Sequence, residues 1–415
     1  MDASNFDDIR PYYDSEIPSA MERIVSDSMF PIVAAYVMPG IPLEAAKRKV
    51  LSIKTARQLQ EDIMAGVIAE ILHKSSDGMT YEGLEHIKPD KAYLFISNHR
   101  DIMLDAAILQ YILVTNNLPS TEITFGANLM NPRLVVDIGK SNRMFRVERP
   151  SAATTAREFY NISRHLSDYI RYTITGKNAS VWIAQRNGRT KDGVDKTDQG
   201  VIKMLGLSAE GDRVKAMADL NITPMAISYE YEPCDFAKAM ELATLESQGY
   251  YTKKSGEDLN SILSGITSPK GRIHVKICAP LTEEDFAPFA SLPGSGFNKG
   301  IATLLDSRIR PAYKPMPTAF IARDLLSGAL SPDGVPVSGD ASVPGSVSAS
   351  DSAAAATSPA ATGSAPYTAA EVAAFLRHIG TAPANLRPRI LAMYAAPINT
   401  GAYPPNPHGS IAPAL

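Results

Sequence analysis

The sequence predicts an α/β fold, in which a mixed, mostly parallel sheet is covered by helices. Two observations support this prediction. Short apolar runs alternate with longer segments whose apolar residues recur at helical spacing. Several of the runs are almost wholly apolar, as strands buried on both faces of a sheet are. The runs predicted as strands are residues 91–97, 121–126, 144–147, 179–184, 222–229 and 272–278.

Three long helices are predicted between these strands. Pro42 precedes a segment, 43–74, whose apolar residues have helical spacing, and proline is favoured at a helix start. A second helix, 101–115, follows the first apolar run. A third is predicted over 152–172, with Ser151 as its N-cap.

The composition changes sharply near residue 327. From 327 to 366 the chain is mostly Ala, Ser, Pro and Gly. Such a segment buries too little apolar surface to offset the entropy of ordering, so we predict a disordered linker. After it, a short helical pair with an apolar face would dock on the main domain or contact a partner. The predicted division is an N-terminal helical membrane-association region (1–75), a main domain (76–326), the linker (327–366) and a C-terminal segment with its tail (367–415).

Composition argues against several classes of protein. The formal net charge of −3 gives no general attraction to nucleic acid. Two cysteines, Cys234 and Cys278, in 415 residues are typical of a reduced, cytosolic or cytosol-facing protein rather than a disulfide scaffold. The acidic N-terminus is not typical of a signal peptide. No apolar run is long enough to span a bilayer.

One N-terminal segment has two interpretations. Residues 29–38 are mostly apolar, Pro31 interrupts them, and the cations of 47–49 follow. An apolar segment beside a cationic one suits attachment to the surface of a membrane. An ordinary core segment followed by a solvated helix face explains the pattern equally well.

The segment 98–105, Asn-His-Arg-Asp-Ile-Met-Leu-Asp, directly follows a predicted buried strand. A histidine can act as a general base, and a carboxylate can orient it and stabilise its charged form. The alternative is a surface histidine at a helix start, with Asp101 and Asp105 favouring the helix dipole. A kinase catalytic loop is excluded, because Ala106 stands where that loop needs an asparagine.

A second polar segment, 185–193, follows the predicted strand that contains Trp182. It carries Arg186, Arg189 and Lys191 around a flexible Gly188. Cations and backbone N–H groups on such a loop can hold an anionic group. A solvated charged loop is the alternative.

These segments, with two others, occur in the order found in one family. The chain resembles the PlsC-type glycerolipid acyltransferases, which include glycerol-3-phosphate and 1-acylglycerol-3-phosphate acyltransferases. Their first motif has Asn or Ser, His, four residues and Asp; Asn98, His99 and Asp105 are similar, with five residues between. Their second is an aromatic-apolar strand ending in arginine, to which Phe145 and Arg149 correspond.

The third family motif is Glu-Gly-x-Arg, and the fourth is an apolar strand around a proline. Asn187, Gly188 and Arg189 resemble the third, with asparagine in place of glutamate and the arginine one position early. Residues 223–227 around Pro224 resemble the fourth. The resemblance covers roughly residues 80–285 and implies a glycerolipid acyltransferase-like fold.

The resemblance implies an O-acyltransferase that moves a fatty acyl group from acyl-CoA or acyl carrier protein to a hydroxyl of a phosphorylated lipid precursor. His99 would be the general base, Asp105 would orient it, and Arg149 and Arg189, with Lys191 or Arg186, would hold the anion. No metal or organic cofactor is implied. A membrane lipid surface, on the cytoplasmic side of the cell membrane, would be a partner.

Two alternatives stay open at this point. One is an acyltransferase with another lysolipid acceptor, such as an amino-acid lipid, which Asn187 favours. The other is a non-catalytic lipid-binding relative, which the intact His99 opposes.

Spacing leaves two carboxylates near His99. In a regular helix Asp101 would point away from the histidine. Asp105, six residues on, returns to His99 only if the helix starts late or the turn is bulged. We expect Asp105 to contact His99, and Asp101 to act at the helix start.

Overall fold

The computed structural model describes residues 3–130, 132–148, 154–337 and 366–398. Its centre is a seven-stranded sheet in the order β1-β7-β6-β2-β5-β3-β4. Neighbouring strands are parallel, except that β6 and β7 are antiparallel. The mixed, mostly parallel sheet predicted from the apolar runs is therefore confirmed. The strands are β1 (Met79–Glu82), β2 (Leu94–Ser97), β3 (Glu122–Gly126), β4 (Met144–Val147), β5 (Val181–Ala184), β6 (Ile222–Tyr229) and β7 (Ile273–Ile277).

Helices cover both faces of the sheet. They are α1 (Ile17–Ser26), α2 (Phe30–Val37), α3 (Leu43–Leu51), α4 (Ala56–Leu59), α5 (Ala65–Ser75), α6 (Leu104–Thr115), α7 (Arg133–Ser141), α8 (Ala156–Arg171), α9 (Gln199–Gly206), α10 (Arg213–Ala218), α11 (Asp235–Gln248), α12 (Glu257–Thr267), α13 (Glu283–Phe286), α14 (Gly294–Ala312), α15 (Pro317–Ser327), α16 (Ala369–Gly380) and α17 (Arg387–Ala395). None of the described helices is long and apolar enough to cross a membrane.

The central strand β2 shows how the two faces are divided. Phe95 packs into a core that includes α1, α5 and α6, whereas Leu94 and Ile96 pack into a second core with α8, α9 and α14. Successive side chains of a strand point to opposite faces, so a continuous apolar run is needed to fill both cores. The run 91–97 met that requirement, which is why it was recognisable from the sequence.

Two local predictions were wrong. The helix predicted over 43–74 is interrupted after Leu51, and Thr55 begins a new helix by accepting the N–H of Gln58. The N-cap of α8 is Thr155, which forms a capping box with Glu158. Ser151, the predicted cap, lies outside the described residues. Thr55 and Thr155 determine where these two helices begin, because each hydroxyl accepts an N–H that its helix leaves unpaired.

The C-terminal helices α16 and α17 dock on the main domain. They form a third apolar core with α11 and α15, in which Phe375 and Ile390 are fully buried. Leu330, inside the predicted linker, is only 4% exposed and belongs to this core. Ordered structure therefore continues past the predicted boundary at 327, and residues 338–365 of the predicted linker lie outside the described residues.

Candidate active site

The candidate site lies at the edge of the sheet where the parallel strands end. The turn after β2 carries His99, the loop after β5 carries the predicted cations, and β6 ends there at Tyr229. Open α/β sheets bind ligands at this edge, because loops leave adjacent strands there in different directions.

The turn between β2 and α6 delays the helix. Asp101 Oδ1 accepts the backbone N–H groups of Met103 and Leu104, at 2.9 and 2.8 Å. These bonds satisfy N–H groups that α6 leaves unpaired at its start, so the helix begins at Leu104 rather than at Asp101. Asp101 therefore has the helix-start position expected from its spacing.

Because the helix starts late, Asp105 faces back towards His99. Its Oδ2 lies 2.9 Å from His99 Nδ1. The same oxygen accepts the backbone N–H groups of Arg100 and Asp101, at 2.6 and 3.0 Å. The structure places Asp105, and not Asp101, on the ring nitrogen of His99. The extra residue between His99 and Asp105 is accommodated in the turn that Asp101 holds.

His99 Nε2 is the ring nitrogen that Asp105 does not bind. The side chain is 14% exposed, and no hydrogen bond engages Nε2 within the part of the chain that the structure describes. The Trp182 ring contacts the imidazole edge-on, with centroids 5.9 Å apart. A carboxylate acceptor on Nδ1 fixes the neutral tautomer with its lone pair on Nε2. This arrangement suits a general base.

A network of buried charged side chains holds Arg100, the residue after His99 in the turn. The Arg100 guanidinium, 1% exposed, pairs with Asp195 at 2.6 Å and with Glu232 at 3.0 Å. Lys238 pairs with Glu232 and donates to the Arg100 carbonyl, at 2.6 and 2.7 Å. Two cations and two anions balance, which reduces the cost of burying them. Tyr394 of α17 reaches the same network, because its hydroxyl accepts the N–H of Glu232.

The loop after β5 is attached to the His99 turn. The Thr190 N–H donates to the His99 carbonyl at 2.7 Å, and the Thr190 hydroxyl donates to Asp195 at 2.9 Å. Asp195 also accepts from the Asn98 amide at 3.1 Å. The turn after β2 and the loop after β5 thus form one unit, even though 97 positions separate Asn98 from Asp195.

The predicted loop cations have different partners and different degrees of burial in the structure. Arg189 donates from Nη2 to Ser261 of α12 at 3.2 Å, and its buried Nη1 has no partner among the described residues. Lys191 pairs with Glu241 of α11, and burial lowers the pKa of this lysine. Arg186 is half-buried, and Gly188 has a φ of +73°, which favours glycine. Arg149 lies outside the described residues.

Helix α12 packs directly on the turn. A Cβ on Gly265 would lie 2.1 Å from Asp101 Oδ2, so only glycine allows this approach. Burial, and next the charge of Asp105, raise the pKa of Asp101, while the nearby Arg189 lowers it. Arg189 binds Ser261, one helical turn before Gly265 on α12, and is therefore close to the turn that carries His99.

Sequence reasoning missed two residues that contact the site. Tyr229, at the end of β6, donates to Asp105 Oδ1 at 2.9 Å. Asp195 holds both Asn98 and Arg100. A tyrosine at the carboxyl end of a predicted central strand was the available signal for the first. Asp195 lies in a loop with several other carboxylates and has no distinguishing signal.

Residues 78–227 match the model of the acyltransferase family. This segment is an acyltransferase domain. The match confirms the resemblance drawn from the motifs, and all four motif segments lie inside it. The acyltransferase domain contains His99, Asp105 and the loop cations, but α11, α12 and the C-terminal helices lie beyond the matched residues.

Among solved structures, the chain is similar to the 1-acyl-sn-glycerophosphate (LPA) acyltransferase PlsC from Thermotoga maritima. Sequence identity is 13% and the TM-score is 0.34, with 71% of this chain and 94% of that chain covered. No curated protein matches the chain significantly. The roles of the site residues in the acyltransferase domain therefore stay predictions from geometry.

Proposed function

We propose that the protein is an O-acyltransferase of phospholipid synthesis that acts on glycerol-3-phosphate or 1-acylglycerol-3-phosphate, with acyl-CoA or acyl carrier protein as donor. One observation carries the proposal: within an acyltransferase domain, Asp105 holds His99 Nδ1 at 2.9 Å and leaves Nε2 available.

The proposed step is a direct attack on the thioester. His99 Nε2 takes the proton of the acceptor hydroxyl while the hydroxyl oxygen bonds to the thioester carbonyl carbon. The carbon–sulfur bond then breaks, and the leaving sulfur takes up the proton from the imidazolium. Asp105 stabilises the imidazolium between these two transfers. The step uses no metal or organic cofactor.

Arg189 is the cation best placed for the acceptor's phosphate. Its Nη1 is buried without a partner among the described residues, while Lys191 is already paired with Glu241. A guanidinium can give phosphate two parallel hydrogen bonds. Of the residues predicted to bind the acceptor, Arg149, Arg186, Gly188, Arg189 and Lys191, the proposal gives Arg189 the main role.

A second acceptor class is favoured by one residue. Asn187 stands where the family has glutamate, in the motif associated with the acceptor. An asparagine removes a negative charge and offers an amide, which would suit an amino-acid-containing lysolipid. Both classes share the His99 chemistry and differ only in the acceptor.

The N-terminal helices support a site on the cytoplasmic face of the membrane. On α2, Ile32 and Tyr36 are 65% and 51% exposed. Arg48 and Lys49 are exposed on the next helix, α3. Exposed apolar side chains beside cations favour binding to anionic lipid. Sedimentation with anionic phospholipid vesicles tests this: Ile32→Ser should reduce binding, and Val335→Ser, similarly exposed but elsewhere, should not.

Acyl transfer itself is tested with purified protein and mixed donors and acceptors. Thiol release from acyl-CoA or acyl carrier protein is followed, and mass spectrometry identifies the product from glycerol-3-phosphate, 1-acylglycerol-3-phosphate or an amino-acid lysolipid. His99→Ala should reduce turnover by about 10²–10⁴-fold. The control His86→Ala, at an exposed histidine outside the site, should not. Thiol release that is equal in wild type and His99→Ala would contradict the proposal.

The acceptor site is tested in the same assay. Arg189→Gln should raise the acceptor's KM, because the phosphate loses a charged partner worth roughly 2–5 kcal/mol if the site is desolvated. The donor's KM should change little. Lys196→Gln, at an exposed cation of the same loop, is the matched control. Equal losses for both substrates would indicate a structural role for Arg189.

A further inference from the structure

The two oxygens of Asp105 are bound very unequally. Oδ2 accepts three N–H groups: His99 Nδ1 and the backbone N–H groups of Arg100 and Asp101. Oδ1 accepts one hydrogen bond from the described residues, from the Tyr229 hydroxyl at 2.9 Å. The Asp105 side chain is 1% exposed, so water does not replace a missing donor easily.

Tyr229 is held rigidly for this contact. It is the last residue of β6, where it pairs with Ile273 of β7, and it is almost fully buried. An ionised carboxylate can only accept, so the Tyr229 proton must point to Oδ1. Burial, and next the charge of Asp105, raise the pKa of Tyr229 well above its usual value, so the hydroxyl keeps its proton.

We infer that Tyr229 is a positioning residue for the acyltransferase: its hydroxyl fixes the plane of the Asp105 carboxylate and sets how strongly Oδ2 attracts the His99 Nδ1 proton. The catalytic meaning of this inference rests on the proposed function. Family resemblance did not indicate the residue, since Tyr229 follows the end of the matched segment at 227.

The physical reason is that one negative charge is shared between two oxygens. A donor on Oδ1 draws charge away from Oδ2 and moderates the bond from His99. Without the hydroxyl, Oδ1 is a buried acceptor with no partner among the described residues, and the plane of the carboxylate loses one of its restraints. Charge then concentrates on Oδ2, and the orientation of His99 towards the acceptor is less well defined.

Tyr229→Phe in the full chain is the direct test, with two readouts. The first is the proton NMR resonance of His99 Nδ1, assigned by its loss in His99→Gln. A stronger acceptor at Oδ2 should move this resonance downfield. The second is turnover: kcat should fall about tenfold to a hundredfold, the range expected when a hydrogen bond to a charged group is lost, while KM for either substrate changes little.

Two further variants separate positioning from packing. Tyr231→Phe removes a tyrosine hydroxyl two residues along, where the ring packs on His378 rather than on the site, and should move neither readout. Tyr229→ortho-fluorotyrosine keeps the ring and makes the hydroxyl a stronger donor, so it should move the Nδ1 resonance upfield. This second variant also tests the inference if Tyr229→Phe does not fold.

The outcomes are distinguishable. Opposite shifts of the Nδ1 resonance in the two Tyr229 variants support the inference, when the acidic limb of the kcat/KM–pH profile also moves to a different pH. An Nδ1 resonance that stays at the wild-type position in both variants overturns it. If wild type transfers no acyl group to any acceptor, the proposed function fails, and the NMR shifts alone decide whether Tyr229 controls the His99–Asp105 bond.

Discussion

Replacing Asp105 by asparagine tests the central pair most directly. The amide oxygen can still accept from His99 and from the backbone N–H groups of Arg100 and Asp101, and the amide nitrogen can face the Tyr229 oxygen. Shape and most hydrogen bonds are thus kept. What is lost is the negative charge beside the imidazolium.

The size of the loss follows from the geometry. With Nδ1 and Oδ2 at 2.9 Å, the two charge centres are about 4 Å apart. An effective dielectric constant of about 20 then gives an attraction of about 4 kcal/mol. Since each 1.36 kcal/mol is about tenfold in rate, Asp105→Asn should lower kcat by about 10³-fold.

The assay is thiol release with saturating donor and acceptor, beside thermal melting. Asp101→Asn is the matched control: it makes the same side-chain replacement four residues away, and its amide oxygen can still accept at the start of α6. It should keep kcat within a few-fold of wild type. A similar kcat loss in both variants, or near-wild-type turnover in Asp105→Asn, would refute the reasoning.

Further predictions concern stability. Burial raises the pKa of Asp101, so the folded protein binds the Asp101 proton more tightly than the unfolded chain does. Wild type therefore loses stability as pH rises above about 4. The melting temperature of Asp101→Asn, measured relative to wild type, should increase from pH 4 to 7. Burial lowers the pKa of Lys270 to about 8. Between about pH 8 and 10 the unfolded chain therefore binds more protons than the folded protein. Wild type should gain stability as pH rises through this range, whereas Lys270→Met should not. Gly193→Ala should lower the free energy of unfolding in urea by more than about 1 kcal/mol. Its φ is +79°, and a Cβ there would lie 2.0 Å from the Met393 carbonyl oxygen. Gly188→Ala, which has a similar φ but no atom near its Cβ, should cost less. Tyr394→Phe should cost about 1–3 kcal/mol in the same measurement, because it leaves the buried Glu232 N–H without its acceptor and removes one of two side-chain partners of Asp235 Oδ2. Unchanged urea midpoints in Gly193→Ala and Tyr394→Phe would show that α17 contributes little to the fold.

The acyltransferase domain at residues 78–227 was recognisable from the sequence because the chemistry-bearing residues directly follow apolar strands. The runs that became β2, β5 and β6 fill two cores and are therefore continuous, so their ends could be located. The missed strand β1 is the opposite case. It is largely exposed at the edge of the sheet and has no such run. Its pairing with β7 depends on a partner almost two hundred residues away.

The sequence by itself determined that a histidine and nearby carboxylates follow a buried strand, and that cations follow another. Only the tertiary structure decided which carboxylate binds His99. Asp101 caps the turn and delays the start of α6 to Leu104, and because of this delay Asp105 faces His99. The contacts that complete the site, from Tyr229 to Asp105 and from Asp195 to Arg100, join residues about a hundred positions apart. No local pattern encodes such contacts, since they exist only when separate strands end at the same edge of one sheet.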